Sequence, residues 1–190
     1  MSLRLDLLRH GETERGGGFR GSLDDALTSA GWATLEAAVL GQGPWDAIVT
    51  SPLRRCADFA QALADRLQRP LLTLPDLREL HFGEWEGRSA AELMASDAEA
   101  LGNFWQDPFR YTPPGAEPLA EFVPRVECGV AALLAGYPNQ QLLIVGHAGV
   151  MRLLLARARG LPVSRLLDVE VAHGALHRIA VADDGSLAAL

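Results

Sequence analysis

The sequence predicts an α/β fold, a three-layer α/β/α sandwich with a mainly parallel central sheet. Short apolar runs, among them Leu3–Leu8, Asp46–Thr50 and Gln141–Val145, alternate with segments of helical periodicity, the pattern of strands covered on both faces. The chain has 190 residues, 48% of them hydrophobic, which suffices for one substantial core. No linker-like stretch divides it, so we expect a single domain over 1–190.

The first half contains two predicted strand–helix units. Leu3–Leu8 reads as the first strand, and the helix after it begins behind the cap residue Thr28 and ends before Gly41. Ser51 and Pro52 directly follow the second strand. Serine is typical of an N-cap and proline of a first helical turn, so a second helix is predicted to begin there.

The second half predicts one further strand–helix unit and two late strands. Gln141–Val145 is uniformly apolar, and a helix over Gly149–Arg159 follows it. Leu167–Val171 and Leu176–Val181 are predicted to be the late strands. Trp105–Pro118 contains four prolines, so we expect a surface loop or lid over the sheet edge.

Charge and composition exclude several classes of partner. The chain carries 24 acidic and 17 basic side chains, a formal charge of −7, which argues against nucleic acid and anionic membranes. His147 and Arg152 interrupt the long apolar stretch, so no membrane span is predicted. Cys56 and Cys128 have no metal-like or redox spacing, which favours free thiols and a cytoplasmic protein. Nothing in the sequence fixes an oligomeric state.

Cationic and imidazole side chains follow three of the predicted strands. Arg9 and His10 end the first, Arg54 and Arg55 follow the second, and His147 follows Gln141–Val145. Because ligands of open α/β sheets lie beyond the carboxyl ends of the strands, these segments should converge on one crevice. A helix start with an added arginine is a good anion site, so the convergence predicts phosphate binding.

His10 is the candidate nucleophile of this crevice. A neighbouring cation such as Arg9 lowers the pKa of an imidazole, so the ring stays neutral and can attack phosphorus. Nearby arginines would hold the equatorial oxygens of the transferring group.

The same segments resemble the histidine phosphatase superfamily, the phosphoglycerate-mutase-like enzymes. The resemblance makes His10 the phosphorylated residue and Arg9, Arg55 and His147 its phosphate-binding partners, and it leaves Arg54 as a variable surface position. It makes Glu79 the proton donor. Four blocks carry it in family order: Arg9-His10-Gly11-Glu12-Thr13, Ser51-Pro52-Leu53-Arg54-Arg55-Cys56, Leu77 to Gly87, and Val145 to Arg152.

Within the superfamily, the compact length and Gly83-Glu84-Trp85-Glu86-Gly87 resemble phosphatases, and the α-ribazole phosphatases in particular. That resemblance implies a small phosphorylated metabolite as substrate, with no cofactor and no metal. It also implies that the bulk of a nucleotide-like substrate lies under the Trp105–Pro118 loop. The aromatic residues of that loop, Trp105, Phe109 and Tyr111, either stack on the heterocycle or pin the loop to the domain.

Four other interpretations use the same residues. A broad-specificity metabolite phosphatase would keep the catalytic core and accept many phosphorylated metabolites. His10, His147 and Glu79 could form a two-histidine, one-carboxylate metal site, although the adjacent arginines would repel a divalent ion. A phosphoglycerate mutase would need a closed lid, for which the stretch between Glu79 and Glu117 is short. A non-catalytic phosphate-binding protein would have no need for a proton donor.

The remaining polar residues receive weaker assignments. Arg20 and His81 are candidate substrate-binding residues, His81 because it would share a strand face with Glu79. Gly16–Gly18 either wraps phosphate with its amides or is a flexible loop. His173 and His177 are predicted to be structural.

Overall fold

A computed structural model describes residues 2–190, in which six strands and five α-helices are present. Three short 3₁₀ turns lie between them, at Pro75–Leu77, Gly83–Trp85 and Val163–Asp168. The order of elements is β1 (Ser2–Arg9), α1 (Ser29–Val39), β2 (Ala47–Thr50), α2 (Arg54–Leu67), β3 (Leu71–Thr73), α3 (Ala90–Gln106), α4 (Leu119–Gly136), β4 (Gln141–Gly146), α5 (Ala148–Ala158), β5 (Leu176–Ala182) and β6 (Leu187–Ala189).

The strands form one mixed sheet in the order β3-β2-β4-β1-β5-β6. The first four in that order are parallel to one another, while β5 and β6 pair antiparallel at one side. The mainly parallel sheet that the sequence predicts is therefore confirmed, with an antiparallel extension.

Hydrophobic cores cover both faces of the sheet. Alternate residues of β1 point to opposite sides, so Leu5 and Leu7 join the larger core, which includes residues of α3, α4 and α5. Leu8 joins the second core, formed with residues of α1 and α2. Helix layers on both faces confirm the three-layer α/β/α arrangement.

Strand register brings the predicted site segments to one edge. In the β1–β4 pair Arg9 lies opposite Gly146, so His10 and His147 leave adjacent strands side by side. The backbone N–H of His10 donates to the Gly146 carbonyl at 2.9 Å. β2 pairs with the other edge of β4, which brings Ser51 to the same end of the sheet.

Two sequence predictions of local structure are wrong. Leu167–Val171 is no strand, because the chain forms the 3₁₀ turn at Val163–Asp168 and then irregular backbone. Ser51 does not occupy the N-cap position of α2: that helix begins two residues later than predicted, and its N-cap residue is Leu53, whose side chain makes no capping hydrogen bond. The Ser51 hydroxyl accepts from the Leu53 backbone N–H at 3.3 Å and lies 2.7 Å from His147 Nε2.

Between residues 2 and 190, no helix combines the length and the apolar character that crossing a membrane requires.

Candidate active site

His10 lies at the carboxyl end of β1 with only 6% of its surface exposed. Its Nδ1 is 2.8 Å from the Gly11 carbonyl, which can only accept, so Nδ1 carries the ring proton and Nε2 has a free lone pair. Burial, and after it the charges of Arg55 and Arg9, lower the pKa of His10 well below its ordinary value. The ring is therefore neutral near pH 7, the form that a nucleophile needs.

Arg55 is fully buried in the first turn of α2. Its guanidinium donates to the carbonyls of Leu23, at 2.6 Å, and Gly21, at 2.8 Å, which ties the loop before α1 to the site. Its Nε–H has no partner among residues 2–190. Arg54 points away, with its side chain 56% exposed beside Asp58, as expected for a surface position.

A second cation, the partly buried Arg9, lies near His10. Arg9 donates from Nη1 to the Val171 carbonyl at 2.6 Å, and its Nε–H also lacks a partner in the described part of the chain. An unpaired buried donor is costly, so two of them beside one imidazole mark where an anion would be stabilised. Arg20 and Arg152 add positive charge to the wall of the same cavity.

His147 is completely buried at the N-cap position of α5. Its ring meets that of His10 edge to face, with 5.4 Å between centroids. Nε2 contacts the Ser51 hydroxyl, and the Cys56 sulfur lies within 3.7 Å of both ring nitrogens. Burial and the charge of Arg55 lower its pKa well below the ordinary value, so His147 is also neutral near pH 7.

Glu79 approaches the site from the segment after the Pro75–Leu77 turn. The Gly149 N–H, in the first turn of α5, donates to both carboxyl oxygens at 3.0 and 3.1 Å, and the Leu80 N–H donates to Oε1. These contacts fix the carboxyl at the wall of the cavity that also exposes His10.

The cavity at this sheet edge has a volume of about 510 Å³. Its polar part consists of Arg9, His10, Glu12, Thr13, Arg20, Glu79, Arg152 and His173. Phe19, Phe82 and Ala90 form an apolar part, in which the two rings pack edge to face at 5.1 Å between centroids. Gly16–Gly18 also lines the cavity, while Arg55 and His147 lie behind its surface.

His81 does not lie in this cavity, contrary to the sequence prediction. Its backbone belongs to no strand, so the expected alternation with Glu79 does not apply. Nδ1 instead contacts Glu86 at 2.7 Å and the Ser22 hydroxyl at 2.9 Å. Glu86 also accepts the backbone N–H groups of Ser22, Leu23 and Phe82, so His81 belongs to a cluster that holds two loops together.

The Trp105–Pro118 segment does not cover the cavity either. Trp105 lies in the last turn of α3 and is 49% exposed, Phe109 is 39% exposed, and neither lines the cavity. Tyr111 stacks on the buried Trp85 at 6.1 Å between centroids. Of the two interpretations of these aromatic residues, the structure supports attachment of the loop to the domain.

His173, which the sequence predicts to be structural, is a residue of this site. It precedes β5, lines the cavity, and its ring lies 5.4 Å from that of His10 between centroids. A signal was available, because β5 runs antiparallel beside β1 and the residues before β5 must therefore meet the carboxyl end of β1. His177 lies within β5 and does not line the cavity.

The described residues contain no group of three His, Cys, Asp or Glu side chains that could hold a metal ion. In particular, His10, His147 and Glu79 direct atoms towards Gly11, Ser51 and Gly149 rather than towards a common point.

Comparison with known proteins assigns this arrangement to a family. The model of the "Histidine phosphatase superfamily (branch 1)" matches residues 5–189. The adenosylcobalamin/alpha-ribazole phosphatase of Salmonella typhimurium is 34% identical over 176 residues, 90% of this chain and 87% of the relative. The glucosyl-3-phosphoglycerate phosphatase of Mycolicibacterium vanbaalenii is 36% identical over 173 residues, 84% and 76% of the two chains.

A solved structure agrees along nearly the whole length. The crystal structure of the alpha-ribazole phosphatase from Shigella flexneri superposes with a TM-score of 0.84 at 31% identity, covering 98% of this chain and 94% of the other. The resemblance seen in the sequence blocks and the phosphoglycerate-mutase-like fold are thereby confirmed. The chain therefore belongs to branch 1 of the histidine phosphatase superfamily.

Proposed function

We propose that the protein is a phosphatase that hydrolyses a small-molecule phosphomonoester through a phosphohistidine at His10, with neither metal nor cofactor. One observation carries the proposal. A neutral imidazole with Nε2 free lies beside two buried guanidinium N–H groups, of Arg9 and Arg55, that have no partner among residues 2–190. Oxygens of a phosphoryl group satisfy those donors and neutralise the charge.

The reaction follows in two steps. His10 Nε2 forms a bond to phosphorus while the ester P–O bond breaks, and Glu79 gives its proton to the departing oxygen. Water then attacks phosphorus, Glu79 takes up a proton from it, the P–N bond breaks and inorganic phosphate leaves. In both steps Arg9, Arg55 and His147 stabilise charge on the equatorial oxygens.

The apolar part of the cavity supports a substrate with a flat ring. Phe19 and Phe82 face the cavity and are supported from behind by Trp85 and Phe104. A heterocycle can pack on such a surface while its phosphate reaches His10. Together with relatives named alpha-ribazole phosphatase, this surface supports α-ribazole 5′-phosphate as substrate, and hence a role in adenosylcobalamin biosynthesis.

A second candidate substrate is glucosyl-3-phosphoglycerate, on which a 36% identical relative is named to act. The cations Arg20 and Arg152 at the cavity wall could pair with its carboxylate. A sugar would gain less than a heterocycle from Phe19 and Phe82, so we place α-ribazole 5′-phosphate first.

The proposal also covers the domain organisation and the cellular location of the enzyme. The family match over residues 5–189 and the continuous sheet support one catalytic domain over 1–190. Cys56 and Cys128 are both free thiols, which supports a reducing, cytoplasmic location.

A turnover screen with a matched pair of variants tests the substrate. The three substrates are α-ribazole 5′-phosphate, glucosyl-3-phosphoglycerate and 3-phosphoglycerate. We expect kcat/KM to be highest on α-ribazole 5′-phosphate. Phe82→Ala should cost about 1–3 kcal/mol on the nucleotide, by analogy with base stacking, and little on glycerol phosphate. Phe109→Ala, outside the cavity, is the control.

Two results would contradict this assignment. Equal losses on the nucleotide and on glycerol phosphate would remove Phe82 from substrate recognition. A preference for 3-phosphoglycerate, or mutase turnover, would overturn the substrate while leaving the His10 chemistry in place.

A further inference from the structure

His173 carries an unassigned imidazole at the mouth of the catalytic cavity. Its ring is tilted by 44° to that of His10, with centroids 5.4 Å apart. Apart from this ring contact, neither nitrogen of His173 has a hydrogen-bond partner within residues 2–190. The ring is thus free to bind whatever occupies the cavity.

The turn that carries His173 is fixed to the residue before the nucleophile. Arg9 donates from its backbone N–H to the Ala175 carbonyl and accepts at its own carbonyl from the Gly174 N–H, both at 3.1 Å. The Arg9 side chain donates a hydrogen bond to the Val171 carbonyl, at 2.6 Å. Gly174 has a φ of +68°, and a Cβ there would lie 2.4 Å from the Thr34 Cγ2, so only glycine fits. The backbone that carries the His173 imidazole is therefore held rigidly beside the end of β1.

The charges around His173 would make protonation of its ring depend on a bound anion. Arg9 and Arg20 face it with positive charge, Glu12 faces it with negative charge, and the neutral ring of His10 lies alongside. Burial and the charge of Arg9 lower the pKa of His173. A phosphoryl dianion placed between these groups would favour the protonated ring, because an adjacent negative charge stabilises the cation.

We propose that His173 is a further catalytic residue, one that donates a hydrogen bond to an equatorial oxygen of the phosphoryl group on or approaching His10. A ring beside His10 reaches the equatorial oxygens, which spread sideways from the line of attack, whereas the leaving group and the attacking water lie on that line. The assignment rests on the proposed transfer through His10 and adds a donor that gains charge when the anion binds.

Sulfate binding tests the proposal without turnover, because sulfate remains a dianion across the range used. Isothermal titration calorimetry between pH 5.5 and 8 would compare the native protein with His173→Asn and His173→Ala. We expect His173→Ala to weaken binding about 10- to 100-fold at pH 5.5, the range for a hydrogen bond to a charged group. His173→Asn should recover part of that affinity and show a flatter pH dependence than the native protein, since an amide donates but does not titrate.

The control is His177→Asn, which removes a histidine four residues away and outside the cavity. It should bind sulfate with native affinity and pH dependence. Because His173 is only partly shielded from solvent and its turn is held by backbone contacts, both of its variants should keep the native melting temperature.

Native sulfate affinity and native pH dependence in both His173 variants would overturn the proposal. The phosphatase assignment fails separately, if His10→Ala retains full turnover. Sulfate binding and turnover thus distinguish the two failures.

Discussion

Gly149→Ala should disable Glu79 as a proton donor without removing its carboxyl group. A Cβ built on Gly149 lies 2.3 Å from Glu79 Oε1, whereas ordinary contacts begin at 3.4 Å, so the carboxyl must retreat by about 1 Å. The clashing atom is the end of a flexible side chain, so the backbone and the fold should stay in place. The retreat also weakens the two hydrogen bonds from the Gly149 N–H.

A displacement of about 1 Å at a catalytic group can cost about 100-fold in rate, or about 2.7 kcal/mol. We therefore expect Gly149→Ala to lower kcat/KM about 100-fold for alkyl phosphates, whose leaving group needs a proton. For p-nitrophenyl phosphate, whose leaving group needs little acid assistance, the loss should be below about 5-fold. Steady-state assays on both esters, beside Glu79→Gln as the full removal of the acid, measure the ratio.

Gly102→Ala is the matched control, because it also replaces a helical glycine and a Cβ there meets nothing within 4 Å. It should leave both esters unaffected and slightly stabilise α3. Equal slowing of the two esters by Gly149→Ala, or native rates on both, would refute the assignment of Glu79 as the acid.

Three further predictions concern the charges of the site. Exhaustive chelation should leave the rate unchanged, and loss of activity that a divalent ion restores would favour the metal-site interpretation. Arg55→Lys should raise KM and lower the melting temperature, because the bonds to Leu23 and Gly21 are lost, whereas Arg54→Lys should behave as native. In the folded protein, His10 and His147 have pKa values well below 6.5, so below pH 6.5 the unfolded chain binds more protons than the folded one. The free energy of unfolding therefore falls with acidification, by up to about 1.4 kcal/mol per pH unit for each ring. Urea unfolding at pH 7 and pH 5 should show this decrease, reduced in His147→Asn, and an unchanged decrease in that variant would contradict it.

The arrangement of the strand ends could be predicted from sequence because it depends on buried, local patterns. Three apolar runs identified β1, β2 and β4, and parallel pairing then required His10, Arg55 and His147 to meet at one edge. Arg54 and Arg55 could be told apart only through the family motif. The structure agrees with that choice, since the Arg55 guanidinium is buried near His10 and that of Arg54 is exposed.

Other features depend on contacts between distant segments and escaped sequence reasoning. An extended strand would put His81 beside Glu79, but Glu86 and Ser22 hold its ring in another cluster. In the sequence, the aromatic residues of the Trp105–Pro118 loop are candidates for a stacking surface, yet Phe19 and Phe82 provide the aromatic surface of the cavity from segments 63 residues apart. No periodicity in the sequence indicates such a pairing.

The covalent state of His10 tests the central claim most directly. Rapid quench of the enzyme with ³²P-labelled substrate, followed by peptide mapping, should find label that is stable in base, labile in acid and bound to His10, and none in His10→Ala. Label on a serine, threonine or cysteine, or full turnover by His10→Ala, would contradict the account.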